Sequence, residues 1–96
     1  MLTLEGIKGE SIVLDGEWIE KLRIGNSLAR NPVSSYKETQ VKEFSRRKKV
    51  LFGEKEELLH VIVKVGVHMS LMVKAEQRGE VDALIAELEK ARAEQR

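Results

Sequence analysis

The stretch from Leu58 to Lys74, LLHVIVKVGVHMSLMVK, decides the fold. Read at every second residue, Leu59, Val61, Val63 and Val65 share a face with Val67, Met69, Leu71 and Val73. The opposite face carries His60, Ile62 and Lys64, then His68, Ser70, Met72 and Lys74. A period of two over β-branched residues is the mark of strands, and Gly66 offers a pivot between them. Both faces stay in register only if about three residues form the loop. Val63 then lies opposite Met69, Val61 opposite Leu71 and Leu59 opposite Val73. The core is expected to be a β-hairpin with one apolar face.

Before this hairpin, Leu2 and Leu4 alternate with Thr3 and Glu5, which fits a short first strand. Asp15-Gly16 between two apolar runs is a two-residue hairpin signal, because such turns need positive φ. Pairing Leu14 with Glu17 sets Val13 opposite Trp18 and Ile12 opposite Ile19. Trp18, Leu22 and Ile24 then share a face with Val13, and the sole tryptophan is expected to anchor the core. Gly25 to Ser35 reads as a turn-rich connection with the only proline. From Tyr36 to Phe52 two readings compete. Ser35 and Glu38 fit a helix capping box, whereas Val41–Phe44 and Lys49–Phe52 read better as strands. Glu54 to Glu57 is a charged turn into the central hairpin. After Gly79, Val81, Leu84, Ile85 and Leu88 fall on one stripe of a helix. Acidic Glu80 and Asp82 at its start and basic Arg92 and Arg96 at its end suit the helix dipole.

These elements describe one domain over residues 1–96. The fold class expected is α+β: a bent antiparallel sheet or roll packed by one C-terminal amphipathic helix. With no cysteine, neither a disulfide scaffold nor a thiolate zinc site is available. The opening MLTLEGIKGE lacks the basic start and apolar block of a signal peptide, and Lys64 interrupts the most apolar stretch. A cytoplasmic protein without a transmembrane segment is expected.

Three stretches resemble small bacterial members of the pleckstrin-homology-like (PH-like) group. Gly9 to Ile19 resembles their opening hairpin, Val41 to Arg47 the strand after the connection, and Leu58 to Leu88 the last hairpin and its helix. The resemblance implies a roll plugged at one end by the helix, and a binding module rather than an enzyme. Phosphoinositide-binding relatives use a basic motif in the first hairpin loop. Here that loop is Asp15-Gly16 beside Glu17, so inositide binding does not carry over.

The net charge of +1 hides a segregation: residues 1–20 carry −4, residues 21–55 carry +7 and residues 56–96 carry −2. Its sharpest feature is the basic run Arg46-Arg47-Lys48-Lys49 with Lys42 upstream. Such a run attracts phosphates of nucleic acid or anionic lipid, or else guards a solvated strand edge against aggregation. Ile62 and Met72 are the apolar residues of an otherwise polar hairpin face, a pattern suited to a protein partner or a second copy. His60 and His68 are the only histidines, and the expected register holds them roughly 13 Å apart, too far for one metal ion. Only a symmetric dimer would bring copies of them together. No serine sits in a nucleophile elbow, and the glycines form no phosphate cradle. The expected function is therefore a non-catalytic protein-interaction module that self-associates, without cofactor or metal. The alternative is a nucleic-acid or anionic-surface binder using Lys42, Arg46, Arg47, Lys48 and Lys49.

Overall fold

The computed structural model describes residues 1–47 and 55–94. Among these residues, seven strands and one helix build an α+β fold of two antiparallel sheets. The first sheet has the order β1 (Leu2–Glu5), β2 (Glu10–Asp15), β3 (Trp18–Arg23) and β4 (Asn26–Pro32). The second has the order β5 (Glu38–Arg47), β6 (Lys55–Lys64) and β7 (Met69–Lys74). A 3-10 turn, Val33–Ser35, links the sheets, and another, Ala75–Gln77, leads into α1 (Arg78–Glu94). Two sheets closed by a C-terminal helix are consistent with a PH-like roll.

The central hairpin pairs as its periodicity requires, with Val63 opposite Met69, Val61 opposite Leu71 and Leu59 opposite Val73. These six side chains are buried, with Leu4, Ile12, Leu14 and Ile19 of the first sheet facing them across one core. Val81, Leu84 and Leu88 of α1 complete it, each fully buried, and Ile85 packs at the margin. Removing a side chain of this size from water contributes about 1.5–3 kcal/mol.

Two corners join the sheets. At one, the Ile7 N–H donates to the Met72 carbonyl at 2.9 Å and Lys21 Nζ donates to the Ser70 carbonyl at 2.5 Å, so the free edge of β7 is satisfied by the first sheet. Gly6 permits this approach, since a Cβ there would stand 2.6 Å from the Met72 carbonyl oxygen. At the other corner Asn31, a buried polar residue of β4, donates to the Val67 carbonyl at 3.1 Å and accepts from the Val67 N–H at 2.9 Å. Its carboxamide thus imitates a strand backbone and ties down the tip of the central hairpin. The tip spans residues 65–68, one more than the three expected, with the expected register kept.

The helix is pinned at both ends. Gln77 Nε2 donates to the Glu5 carbonyl at 2.7 Å, and Arg78 lies 3.6 Å from Glu43. At the far end Arg92 donates to the Lys37 carbonyl at 2.6 Å and pairs with Glu89. Arg78 to Arg92 is about 21 Å of helix, and Lys37 to Glu43 is about 20 Å of extended chain, so α1 runs antiparallel beside β5.

Four sequence expectations are corrected. The first hairpin turns at Gly16-Glu17 rather than Asp15-Gly16, with Asp15 opposite Trp18 and Leu14 opposite Ile19. Only Gly16 has positive φ, at 60°, which fits a type II′ turn with glycine first and not the type I′ that Asp-Gly favours. Trp18 does not anchor the core; it is 41% exposed on the outer face of the first sheet. β2 buries Ile12 and Leu14, which obliges Val13 and its neighbour face, Trp18 included, to look outward. Ile24 is no strand residue but sits with Gly25 in the β3–β4 turn, both at positive φ. Residues 26–32 form a strand instead of a loose connection, with a bulge opposite Lys21 and Leu22.

Between the two readings of Tyr36–Phe52, strand prevails over capping box across β5, and Val41–Phe44 lies within it. Lys49–Phe52 lies outside the described residues. The charged stretch at 54–57 is strand from Lys55 onward.

Candidate interaction surface

The register of the second sheet assembles its outer face row by row. Gln40, Ile62 and Ser70 form one row, Lys42, His60 and Met72 the next, and Phe44, Leu58 and Lys74 a third. Glu38 with Lys64 and Arg46 with Glu56 flank these rows. Successive side chains of a strand point to opposite faces, so all of these stand opposite the buried Val61 and Val63.

The residues singled out by sequence converge here. Ile62 and Met72 occupy adjoining rows as diagonal neighbours, within reach of long side chains at roughly 7–8 Å. Both are half-buried, and Phe44, 47% exposed, extends the apolar strip one row further over the buried Leu58. Lys42 is exposed beside His60 on the same face. Arg46 shares it too, but its Nε lies 3.1 Å from Glu56 and is neutralised there. Arg47 takes the next register position, opposite Lys55. Lys48 and Lys49 lie outside the described residues. The basic run and the apolar pair, separate in sequence, thus share one sheet face through Lys42 and Arg46.

Charges on this face are only partly balanced. Lys64 Nζ lies 3.1 Å from Glu38, as Arg46 does from Glu56. Among the described residues, Lys42 and Lys74 have no carboxylate partner within ion-pair distance. His60 stands opposite Met72, while His68 belongs to the hairpin tip. Among the described residues no three metal-capable side chains cluster.

A second surface was not foreseen. On the outer face of the first sheet, Val13, Asp15, Trp18, Glu20, Leu22 and Arg30 line a shallow cleft of about 370 Å³. The Arg30 guanidinium lies over the Trp18 ring, 4.1 Å from its centroid. Such stacking attracts the guanidinium to the ring face and leaves the tryptophan partly exposed. Glu20 accepts a hydrogen bond from the Ser27 hydroxyl at 2.8 Å, and Asp15 and Glu17 are exposed beside the tryptophan. The signal was present in β2: two apolar residues, Ile12 and Leu14, oppose one, Val13. Counting them identifies the inner face and turns Trp18 outward.

No helix among the described residues is long and apolar enough to cross a membrane. Comparison with known protein families, with curated proteins and with solved structures finds no match.

Proposed function

We propose that this protein is a non-catalytic, PH-like protein-interaction module that self-associates, and that it docks through the outer face of its second sheet. The observation that carries this reading is the union of Ile62, Met72 and Phe44 in adjoining rows, with Lys42, Lys64 and Lys74 around them. An apolar centre inside a charged rim is the anatomy of protein interfaces.

The test is sedimentation equilibrium across a wide concentration range, with Ile62→Asp and Met72→Asp beside the wild type. Mass should rise with concentration in the wild type and stay monomeric in both variants, with circular dichroism unchanged. Variants that associate as the wild type does would remove this face from the interface.

A second reading rests on Lys42 and Lys74, which make no ion pair among the described residues. They would attract nucleic acid or an anionic lipid surface, together with the run from Arg46 to Lys49. Binding of labelled duplex DNA or anionic vesicles that weakens steeply with salt, in a protein of constant mass, would favour it.

A further inference from the structure

We infer that copies of this chain join head to tail, the outer face of the first sheet of one molecule seating on the outer face of the second sheet of the next. The inference rests on the proposed self-association and names its geometry.

Each face presents an exposed aromatic side chain among aliphatic ones. On the first sheet it is Trp18 with Val13 and Leu22, and on the second Phe44 with Ile62 and Met72. Both aromatics are half in water, at 41% and 47% exposure. Burying such rings against each other joins the two apolar strips into one continuous centre.

Charge decides which face meets which. Asp15 and Glu20 on the first sheet, with Glu17 in the adjoining turn, outnumber Arg30, and none of the three carboxylates is in an ion pair among the described residues. On the second sheet Arg46 and Lys64 pair with Glu56 and Glu38, while Lys42 and Lys74 make no ion pair among the described residues. A two-fold dimer sets the same patch against itself, so either face paired with its own copy would oppose like charges. The unlike pairing sets Lys42 and Lys74 against Asp15, Glu17 and Glu20. Because the two faces belong to different sheets of one molecule, a bound copy leaves one face free at each end. Growth then continues into a chain or closes as a ring, and a lone dimer is not the end point.

The experiment uses two variants of the full chain, each blocked on one face. Trp18→Ala with Glu20→Lys blocks the first sheet, and Phe44→Ala with Lys42→Glu blocks the second. Circular dichroism and thermal melting verify both folds. Where an aromatic truncation disturbs the fold, the charge reversal alone replaces it. Each variant alone should stay monomeric where the wild type forms assemblies larger than a dimer. An equimolar mixture should form one-to-one dimers and nothing larger, since only one complementary pair of faces survives. A wild type that associates while the mixture stays monomeric, or a single variant that dimerises alone, overturns the head-to-tail geometry and leaves self-association standing. A wild type that remains monomeric at every concentration overturns both.

Discussion

Tyr36, the only tyrosine, shows how single residues carry the seam between the sheets. It is buried between the 3-10 turn and β5, shares a 2.8 Å hydrogen bond with Thr39, and lies under the Arg92 guanidinium. Burial raises the phenol above its usual value, assisted by Glu89 and Glu38 and opposed by the Thr39 hydrogen bond and by Arg92. The folded state therefore holds the phenolic proton more tightly than the unfolded chain, whose tyrosine titrates near pH ~10. Its stabilising contribution is complete below that pH and is lost as pH rises through the folded-state value. An ultraviolet titration of this one phenol should give a midpoint above that of an unfolded control, with alkaline loss of stability that Tyr36→Phe reduces. A midpoint at or below the control would contradict the burial account. At this scale sequence was a poor guide to orientation. Tryptophan usually buries, which points Trp18 inward, yet Ile12 and Leu14 together on the inner face of β2 outweigh one indole. Ile24 likewise looked like a strand residue, and nothing in a β-branched side chain announces a φ of 48°.

Among elements, legibility followed periodicity. The central hairpin and α1 bury one face continuously, so their spacing of two and of 3.6 stands out and their partners follow. β4 escaped notice because it buries only Asn31, half-buries only Ala29 and ends on Pro32, which leaves no alternation to read. β5 was ambiguous for a related reason: its core-facing Val41 stands almost alone, and its Phe44 looks outward. The joints between elements leave no pattern in the sequence, since they rest on backbone groups of Ser70, Met72, Val67, Glu5 and Lys37 that any sequence supplies. Gly6 makes that point testable. A Cβ at this position would stand 2.6 Å from the Met72 carbonyl oxygen, a backbone atom held in place by β6. Gly6→Ala should therefore force the two sheets apart and cost about 1–3 kcal/mol, read as a lower denaturant midpoint with unchanged slope. Gly16→Ala would not be its equivalent, because Gly16 has open space around it and suffers only from its positive φ. Wild-type stability in Gly6→Ala would mean that this corner closes by other contacts.

At the scale of the whole molecule, the segregation of charge along the chain carries over in part to the sheets, although the basic block also puts Lys21, Arg23 and Arg30 on the first. The acidic first twenty residues supply β1, β2 and the start of β3, whose outer face carries Trp18 among carboxylates. The basic block supplies β5, which brings Lys42 and Arg46 to the other sheet. Opposite charges on different faces steer association and are screened by salt, with a reach of about 10 Å at 0.1 M that shrinks to about 3 Å at 1 M. The sole tryptophan stands on the acidic face, where it reports the contact directly. Raising protein concentration at low salt should move its emission towards shorter wavelengths as its exposed edge leaves water. Added salt should reverse the shift at fixed concentration. The midpoint seen by fluorescence should coincide with the midpoint of the mass increase, and Lys42→Glu, a change on the other sheet, should displace both together. That last coupling is the decisive one, because Lys42 and Trp18 occupy outer faces of different sheets within one molecule and meet only across a boundary between copies. An increase in mass with unchanged tryptophan emission would take the first sheet out of the contact.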